Sequence, residues 1–268
     1  MERRESHAGD AWVSGHAYEQ YVGRWSRLVA REFIAWLSRP PGKHWLDVGC
    51  GTGALSATIL ELASPEQVIG VDPSEAYIAH ARQQVVDSRA QFDVGDAQAL
   101  PYEDNAFDAV VSGLALNFVP DPHRAVAEMA RVATTTGTVA VYVWDYAGEM
   151  QFMRHFWDAA VALDPAASNR DEGRRFPICQ PQPLSQLFQD AGLRDVEVRA
   201  IDVPTVFQDF DDYWSPFLGG QGPAPGYTMS LDETRRTALR DRIKGALPIA
   251  PDGSISLVAR AWAVRGVR

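Results

Sequence analysis

Short apolar runs alternate with amphipathic stretches along the first half of the chain. The runs predict buried strands at 44–48, 67–72, 90–94, 107–112 and 138–144, and the stretches between them predict helices at 54–63, 74–87 and 122–132. Ser74 is suited to cap one helix, and Pro122 after Asp121 is suited to begin another. Strands and helices in this alternation form parallel sheets with right-handed crossovers, so the pattern predicts an open, doubly wound α/β fold.

The flanking regions follow different patterns. Apolar positions from Tyr18 to Leu37 recur at helical spacing, which predicts a helical lid over residues 1–40. The cofactor-binding core is assigned to 41–145, and the remainder of the sheet to 146–268. That remainder contains predicted helices at 183–191 and 231–246, predicted strands at 196–203 and 255–264, and two long insertions at 146–182 and 207–252. Insertions of this length are usually functional, and their many aromatic and methionine residues predict a helical cap.

A glycine-rich turn connects the first predicted strand to the next helix. The sequence W-L-D-V-G-C-G-T-G spans 45–53, and Gly49, Gly51 and Gly53 let the backbone turn sharply and approach a ligand without Cβ atoms in the way. Asp72 ends the following strand, V-I-G-V-D. Two buried strands, a glycine turn and a terminal carboxylate are the features that an adenosine-containing cofactor requires.

Two cofactor classes fit this spacing. Gly49-x-Gly51-x-x-Ala54 followed by Asp72 satisfies the dinucleotide fingerprint of nicotinamide-dependent oxidoreductases. Asp47 favours the other class, because a carboxylate beside a pyrophosphate would repel it. S-adenosylmethionine has no phosphate and carries an ammonium and a sulfonium, which a carboxylate attracts. The alternative for Asp47 is that it only holds the glycine loop through backbone hydrogen bonds.

Four motifs in family order over residues 44–145 resemble those of class I S-adenosylmethionine-dependent methyltransferases. The glycine turn is the first, and Val71-Asp72-Pro73-Ser74 resembles the second. The run V-G-D-A-Q-A-L-P at 94–101 resembles the third, and F-D-A-V-V-S-G at 107–113 resembles the fourth. The G-D-A-x-x-L-P pattern is most similar to the quinone-biosynthesis and other small-molecule methyltransferases.

The resemblance implies a fold, a cofactor and a set of binding residues. It implies a Rossmann-like, mostly parallel seven-stranded sheet whose last strand is antiparallel, with the cap over the methyl-accepting end of S-adenosylmethionine and with S-adenosylhomocysteine as product. Asp72, next to Pro73, would bind the ribose hydroxyls, while Asp96 and the Ala97 N–H would face the adenine. Ser112 and Leu114 would lie near the transferred methyl.

Other candidate residues lie outside the four motifs. Relatives fold an N-terminal helix over the cofactor, where Arg24 would pair with the methionine carboxylate and Tyr21 would cover the sulfonium; the alternative is that the aromatic residues there belong to the core. His155 and Asp145 are the best candidates for a catalytic base, with solvent or a self-ionising substrate as the alternative. Many relatives carry a histidine pair where this chain has Leu116-Asn117-Phe118.

Composition restricts the partners. The formal net charge of −10 disfavours nucleic acid as a substrate, and no metal site is predicted. Cys50 and Cys179 are too few for a disulfide framework, and the absence of an apolar leader or membrane span in the sequence predicts a cytoplasmic protein. The predicted function is methyl transfer to a small apolar or aromatic acceptor at oxygen, nitrogen or carbon. The alternatives are an oxidoreductase and a non-catalytic cofactor-binding partner protein.

Overall fold

The computed structural model describes residues 23–268 apart from Gln221, and it contains a seven-stranded mixed sheet. The strands are β1 (His44–Val48), β2 (Gln67–Asp72), β3 (Ala90–Val94), β4 (Phe107–Gly113), β5 (Ala133–Trp144), β6 (Arg194–Phe207) and β7 (Ile255–Val267). Their order across the sheet is β3-β2-β1-β4-β5-β7-β6. Strands β1 to β5 pair in parallel, and β7 pairs antiparallel with β5, which confirms the predicted fold class.

Helices connect the strands and occupy both insertions. They are α1 (Arg24–Leu37), α2 (Ala54–Leu62), α3 (Glu75–Gln84), α4 (Pro122–Val132), α5 (Gln151–Leu163), α6 (Glu172–Arg175), α7 (Pro181–Asp190), α8 (Phe210–Trp214), α9 (Pro223–Ser230) and α10 (Glu233–Ala246). Ser74 caps α3 as predicted, since its hydroxyl accepts from the Tyr77 N–H. Pro122 begins α4 as predicted, and the Asp121 carboxylate before it accepts from the Arg124 N–H. Helix α3 ends three residues before the predicted end at 87, where the Asp87 side chain accepts from the Arg89 N–H and forms a turn into β3.

Strand β5 begins five residues before its predicted start at 138. Phe107 pairs with Ala133, whereas Ala109 pairs with Thr138, so residues 134–137 bulge out of the ladder. A Cβ on Gly137 would lie 2.8 Å from the Thr134 carbonyl oxygen, which explains glycine at the close approach within this bulge. The threonine-rich bulge has no apolar run, which is why periodicity located only the second part of the strand.

The chain divides into two compact units. One comprises residues 27–144, 178–201 and 261–268, and it contains β1 to β5 with the helices between them. The middle of its central strands is fully buried: Ala109 to Val111 in β4 and Val139 to Val141 in β5 have no exposed surface. Continuous burial on both faces is typical of parallel strands covered by helices, and it explains the uninterrupted apolar runs in the sequence.

The second unit contains most of the first insertion and all of the second, and aromatic residues form its core. Within the described residues it comprises 23–26, 145–177 and 202–260. Phe152 and Phe156 stack on Phe217 with ring centroids 4.6 and 4.5 Å apart, and the Tyr213 hydroxyl donates to the Phe152 carbonyl at 2.8 Å. The rings that the sequence suggests as the lining of a cap are therefore core residues of this unit. A cap role for the unit stays a prediction.

Both cysteines are buried and, as expected, neither forms a disulfide bond. Within the described residues, no helix combines the length and the apolar character needed to cross a membrane.

Candidate cofactor site

The predicted binding residues cluster at the carboxyl edge of the parallel strands. Gly49 directly follows β1, Asp72 ends β2, and Ser112 is the penultimate residue of β4, while Asp96 comes two residues after β3. Strand β1 lies between β2 and β4. From β1 the chain continues to β2 and β3 on one side of the sheet, and it then returns to β4 and β5 on the other side, so the strand order reverses between β1 and β4. Ligands of open α/β sheets bind at such a switch point, outside the carboxyl ends of the strands.

The glycine turn adopts backbone conformations that other residues rarely take. Gly49, Gly51 and Gly53 have φ values of 72°, 52° and 87°. A Cβ on Gly49 would lie 2.5 Å from the Ala115 Cβ, so this glycine lets the loop after β4 pack against the turn. A Cβ on Gly51 would have no heavy atom of the described residues within 4 Å. The turn is therefore closed on the β4 side at Gly49 and open at Gly51.

Asp72 organises this turn and retains acceptor capacity. Its Oδ2 accepts from the Gly51 N–H at 3.0 Å, and its Oδ1 accepts from the Ser74 N–H at 2.9 Å. Burial raises the pKa of Asp72, although these two hydrogen bonds oppose the shift. A carboxylate oxygen has two lone pairs, so each Asp72 oxygen can accept one further hydrogen bond from a ligand.

Asp47 is a fully buried carboxyl on β1. Its Oδ2 accepts from the Ser56 hydroxyl at 2.7 Å, while Oδ1 has no hydrogen-bond partner in the described part of the chain. Burial raises the pKa of Asp47 to about 7; hydrogen bonds from Ser56 oppose the shift and the charge of Asp72 adds to it. Asp47 thus holds α2 through Ser56, a partner that the sequence did not reveal, and keeps one oxygen unsatisfied.

The remaining residues of the second and third motifs are more accessible. Asp96 is exposed, and its Oδ1 accepts from the Gln98 backbone N–H at 2.8 Å, which together with the Gln98 side chain lowers the Asp96 pKa. Ala97 is half-buried in the same turn, and Pro73 is exposed beside Asp72. These residues lie where the sequence placed them, at the ends of β2 and β3.

The end of β4 is held in an unusual conformation. Leu114 has φ = 58°, which is uncommon for a residue with a side chain, and its N–H donates to the Tyr142 carbonyl at 2.8 Å. A Cβ on Gly113 would lie 2.5 Å from the Tyr142 hydroxyl. Ser112 is buried. The loop that follows contains Asn117, a buried amide that sequence reasoning did not assign to the site.

The candidate cofactor-binding and catalytic residues outside the four motifs differ in their surroundings. Tyr21 lies outside the described residues. Arg24 is the first residue of α1, and the structure describes its backbone but not its side chain. His155 is half-buried on α5, and burial lowers its pKa. Asp145 is buried, and its two oxygens accept from the Gly148 and Glu149 N–H groups at 3.1 and 2.9 Å. These bonds give Asp145 a structural role in the turn that begins the first insertion.

Sequence comparison identifies the family. Residues 46–141 match the family described as a methyltransferase domain. A demethylmenaquinone methyltransferase of Roseiflexus castenholzii is 32% identical over 181 residues, which cover 62% of this chain and 74% of that protein. The chain belongs to the class I S-adenosylmethionine-dependent methyltransferases. The 2-methyl-6-phytyl-1,4-hydroquinone methyltransferase of Synechocystis sp. is another similar member, 30% identical over 241 residues that cover 81% of this chain and 74% of the relative.

Solved structures show the same methyltransferase fold. A Bacillus halodurans protein described as a methyltransferase has a TM-score of 0.60 at 15% identity, covering 89% of this chain and 97% of its own. Phosphoethanolamine N-methyltransferase 2 of Haemonchus contortus, solved with phosphomonomethylethanolamine and S-adenosylhomocysteine, has a TM-score of 0.59 at 17% identity, covering 94% of this chain and 56% of its own. This chain is a methyltransferase enzyme, and its family implies S-adenosylmethionine as the methyl donor.

The residues at the carboxyl edge fit that cofactor. The unpartnered Oδ1 of Asp47 suits an ammonium group, because a buried carboxylate oxygen gains from a cationic donor. The two Asp72 oxygens with spare lone pairs suit a pair of ribose hydroxyls. The open side of Gly51 leaves room for a ligand close to the backbone. A pyrophosphate would instead meet two carboxyls here.

Proposed function

We propose that this methyltransferase transfers the methyl group of S-adenosylmethionine to a small aromatic acceptor of the hydroquinone type. The relatives named above act, by name, on demethylmenaquinone and on a phytylated hydroquinone. The acidic balance of the chain disfavours nucleic acid as the acceptor, because nucleic-acid binding relies on basic surface. The substrate class is therefore a small, largely apolar ring that carries hydroxyl groups.

The unpartnered Asp47 Oδ1 is the observation that carries our proposal for how the cofactor binds. In this proposal Asp47 binds the ammonium of the methionine moiety, and Asp72 binds both ribose hydroxyls. Asp96 accepts from the adenine amino group. The other cofactor-binding residues in this proposal are Tyr21, Arg24, Gly49, Gly51, Gly53, Pro73, Ala97, Ser112 and Leu114.

The chemistry requires mainly placement by the protein. The cofactor supplies an already activated methyl group, and transfer is an in-line displacement. The chain's own residues would hold the ligand rigidly at the carboxyl edge, because alignment of the reacting groups and exclusion of water contribute most of such a rate enhancement. The glycine turn, fixed by Asp72 and by the close contact between Gly49 and Ala115, supplies that rigidity.

A proton-accepting group is needed only where the acceptor does not ionise by itself. His155 is the better of the two proposed bases, because its lowered pKa keeps the imidazole neutral near pH 7 and able to accept a proton. Both Asp145 oxygens already accept hydrogen bonds from the backbone, which makes Asp145 the weaker candidate.

Transfer of a labelled methyl group tests this function. The protein is incubated with methyl-labelled S-adenosylmethionine and 1,4-naphthohydroquinone without oxygen, and parallel reactions contain the oxidised naphthoquinone or tryptamine. We expect label in the hydroquinone product and little in the other two. Label only in tryptamine would assign the enzyme to amine methylation, and no label in any reaction would contradict the proposed acceptor class.

A further inference from the structure

Within the described part of the chain, the buried side-chain amide of Asn117 has no hydrogen-bond partner for either of its polar atoms. Asn117 is 8% exposed, and neither Nδ2 nor Oδ1 is hydrogen-bonded to any residue that the structure describes. A buried polar group left unpaired costs about 1–3 kcal/mol, and native proteins contain few of them. A residue that bears this cost for both of its polar atoms is a candidate for binding a ligand.

The chain around Asn117 fixes its position beside the glycine turn. It lies in the short 3₁₀ helix Leu116–Phe118, which follows β4. The Leu114 N–H is anchored to the Tyr142 carbonyl, and Ala115 packs where a Cβ on Gly49 would be. The amide is thus attached to a well-supported loop at the carboxyl edge of the sheet.

Topology separates Asn117 from the residues proposed to bind adenosine. Asp72 and Asp96 follow β2 and β3, on one side of β1, whereas Asn117 follows β4 on the other side. A ligand with its adenosine over β2 and β3 directs its methionine part, which is joined to the ribose through the sulfonium, toward β1 and β4. This step rests on the proposed function. It places Asn117 at the end of the site where the methyl group leaves.

The chemistry of a carboxamide selects the group that it would bind. An amide offers donors at Nδ2 and an acceptor at Oδ1, and it carries no charge. A carboxylate would satisfy only Nδ2, and an ammonium would satisfy only Oδ1. A hydroxyl both accepts and donates, so it can satisfy either atom. We propose that Asn117 hydrogen-bonds a hydroxyl group of the methyl acceptor and so selects hydroxylated rings over unsubstituted ones.

A pair of matched ligands tests this binding without requiring turnover. Protein saturated with S-adenosylhomocysteine is dialysed to equilibrium against 1-naphthol or naphthalene, which differ only in the hydroxyl group. Wild-type protein should bind 1-naphthol about tenfold more tightly, which corresponds to one hydrogen bond of about 1.4 kcal/mol. The variants Asn117→Leu and Asn117→Ala should bind both ligands equally, and exposed Asn169→Ala is the matched control that keeps the preference.

Two further measurements distinguish binding from a structural role. Asn117→Leu should unfold at the same temperature as wild type or a higher one, because it removes two unsatisfied atoms, and its affinity for S-adenosylhomocysteine should stay unchanged. A fall of several degrees would show that the amide has a structural partner, and a parallel loss of S-adenosylhomocysteine affinity would assign it to the cofactor. Either result overturns the proposal.

The ligand comparison has its own contrary outcomes. No preference for 1-naphthol in wild type, a preference that Asn117→Leu retains, or no binding of either ligand would also overturn the inference. Failure of the proposed function is distinguishable, since it would show as absent methyl transfer to 1,4-naphthohydroquinone while the preference for 1-naphthol persisted.

Discussion

The carboxyl edge of the sheet and the aromatic core of the second unit use buried residues in opposite ways. At the edge, Asp47 and Asn117 are buried with polar atoms that have no partner in the described chain. In the second unit, Phe152 and Phe156 are buried with their rings stacked on Phe217. Unpaired polar atoms cost stability, whereas stacked rings contribute it. The comparison indicates that the edge is adapted to bind ligands and the aromatic core to hold the unit together.

The largest expected effect is on stability, from Phe156→Ala. Phe156 has no exposed surface, so its removal leaves a cavity and should lower the free energy of unfolding by about 3–5 kcal/mol. Urea denaturation measures the change. Leu163→Ala on the same helix α5 is the control, because Leu163 is 46% exposed and should change stability by less than about 1 kcal/mol. Equal effects of the two substitutions would show that the ring does not belong to a packed core.

The next effect concerns ligand affinity, from Asp72→Asn. The isosteric amide loses the charge that strengthens hydrogen bonds to the ribose, so S-adenosylhomocysteine should bind about 10- to 100-fold more weakly by calorimetry. Asp108→Asn is a matched control at the opposite edge of the sheet, where Asp108 accepts from the His44 N–H at 3.0 Å as Asp72 does from Gly51. Unchanged affinity in Asp72→Asn would remove Asp72 from the site.

A smaller effect is the pH dependence that Asp47 should give to cofactor binding. Its pKa of about 7 means that the carboxyl is ionised above pH 7 and neutral below it. A cationic ligand prefers the ionised form, and the ionised fraction falls from about one half at pH 7 to about one tenth at pH 6, so S-adenosylmethionine affinity should fall by about fivefold over this range. Asp47→Asn, titrated in parallel, should lack this component, which separates it from the ligand's own titration.

Ser56→Ala sharpens the same test. Removing the hydroxyl that donates to Asp47 should raise the Asp47 pKa further and move the midpoint of the profile to higher pH. The raised pKa also means that wild-type stability falls as pH rises from the ordinary value of 3.8 toward about 7, because Asp47 ionises freely in the unfolded chain over this range, whereas the folded state still holds the proton. Identical profiles for wild type and Asp47→Asn would contradict a role for Asp47.

The smallest expected effect is from Asp96→Asn. Asp96 is exposed and already bonded to Gln98, so solvent screens its interaction with a ligand. We expect S-adenosylhomocysteine affinity to fall by less than about fivefold in calorimetry. A loss as large as that of Asp72→Asn would mean that Asp96 is desolvated when the ligand binds.

Much of the fold could be predicted because buried parallel strands leave a clear signal. The bounds of β1, β2 and β3 agree with the apolar runs, which end at glycine, proline or aspartate. The threonine-rich start of β5 was missed because residues in a bulge follow no apolar period. Periodicity therefore located the elements and failed where the ladder is irregular.

The site was predictable only in part. Glycines and acids at strand ends follow from sequence because their conformational and charge requirements are local, as at Gly49 and Asp72. Composition showed that the first insertion is rich in aromatic residues, but it could not show that Phe152 and Phe156 both stack on Phe217 in a core. Asn117 was missed as a binding residue because a sequence does not reveal which buried polar atoms lack partners.

The most direct test of the contrast is the shift in unfolding temperature that S-adenosylhomocysteine causes, measured side by side on wild type, Asp72→Asn and Phe156→Ala. A ligand at 100 times its Kd stabilises a protein by about 2.7 kcal/mol, which is a shift of several degrees for wild type. The account predicts that Asp72→Asn starts a few degrees below the wild-type temperature, because its amide can accept from only one of the Gly51 and Ser74 N–H groups, and that it loses most of the shift. It predicts that Phe156→Ala starts much lower and keeps the shift. The reverse pattern, with the shift intact in Asp72→Asn and lost in Phe156→Ala, would contradict it.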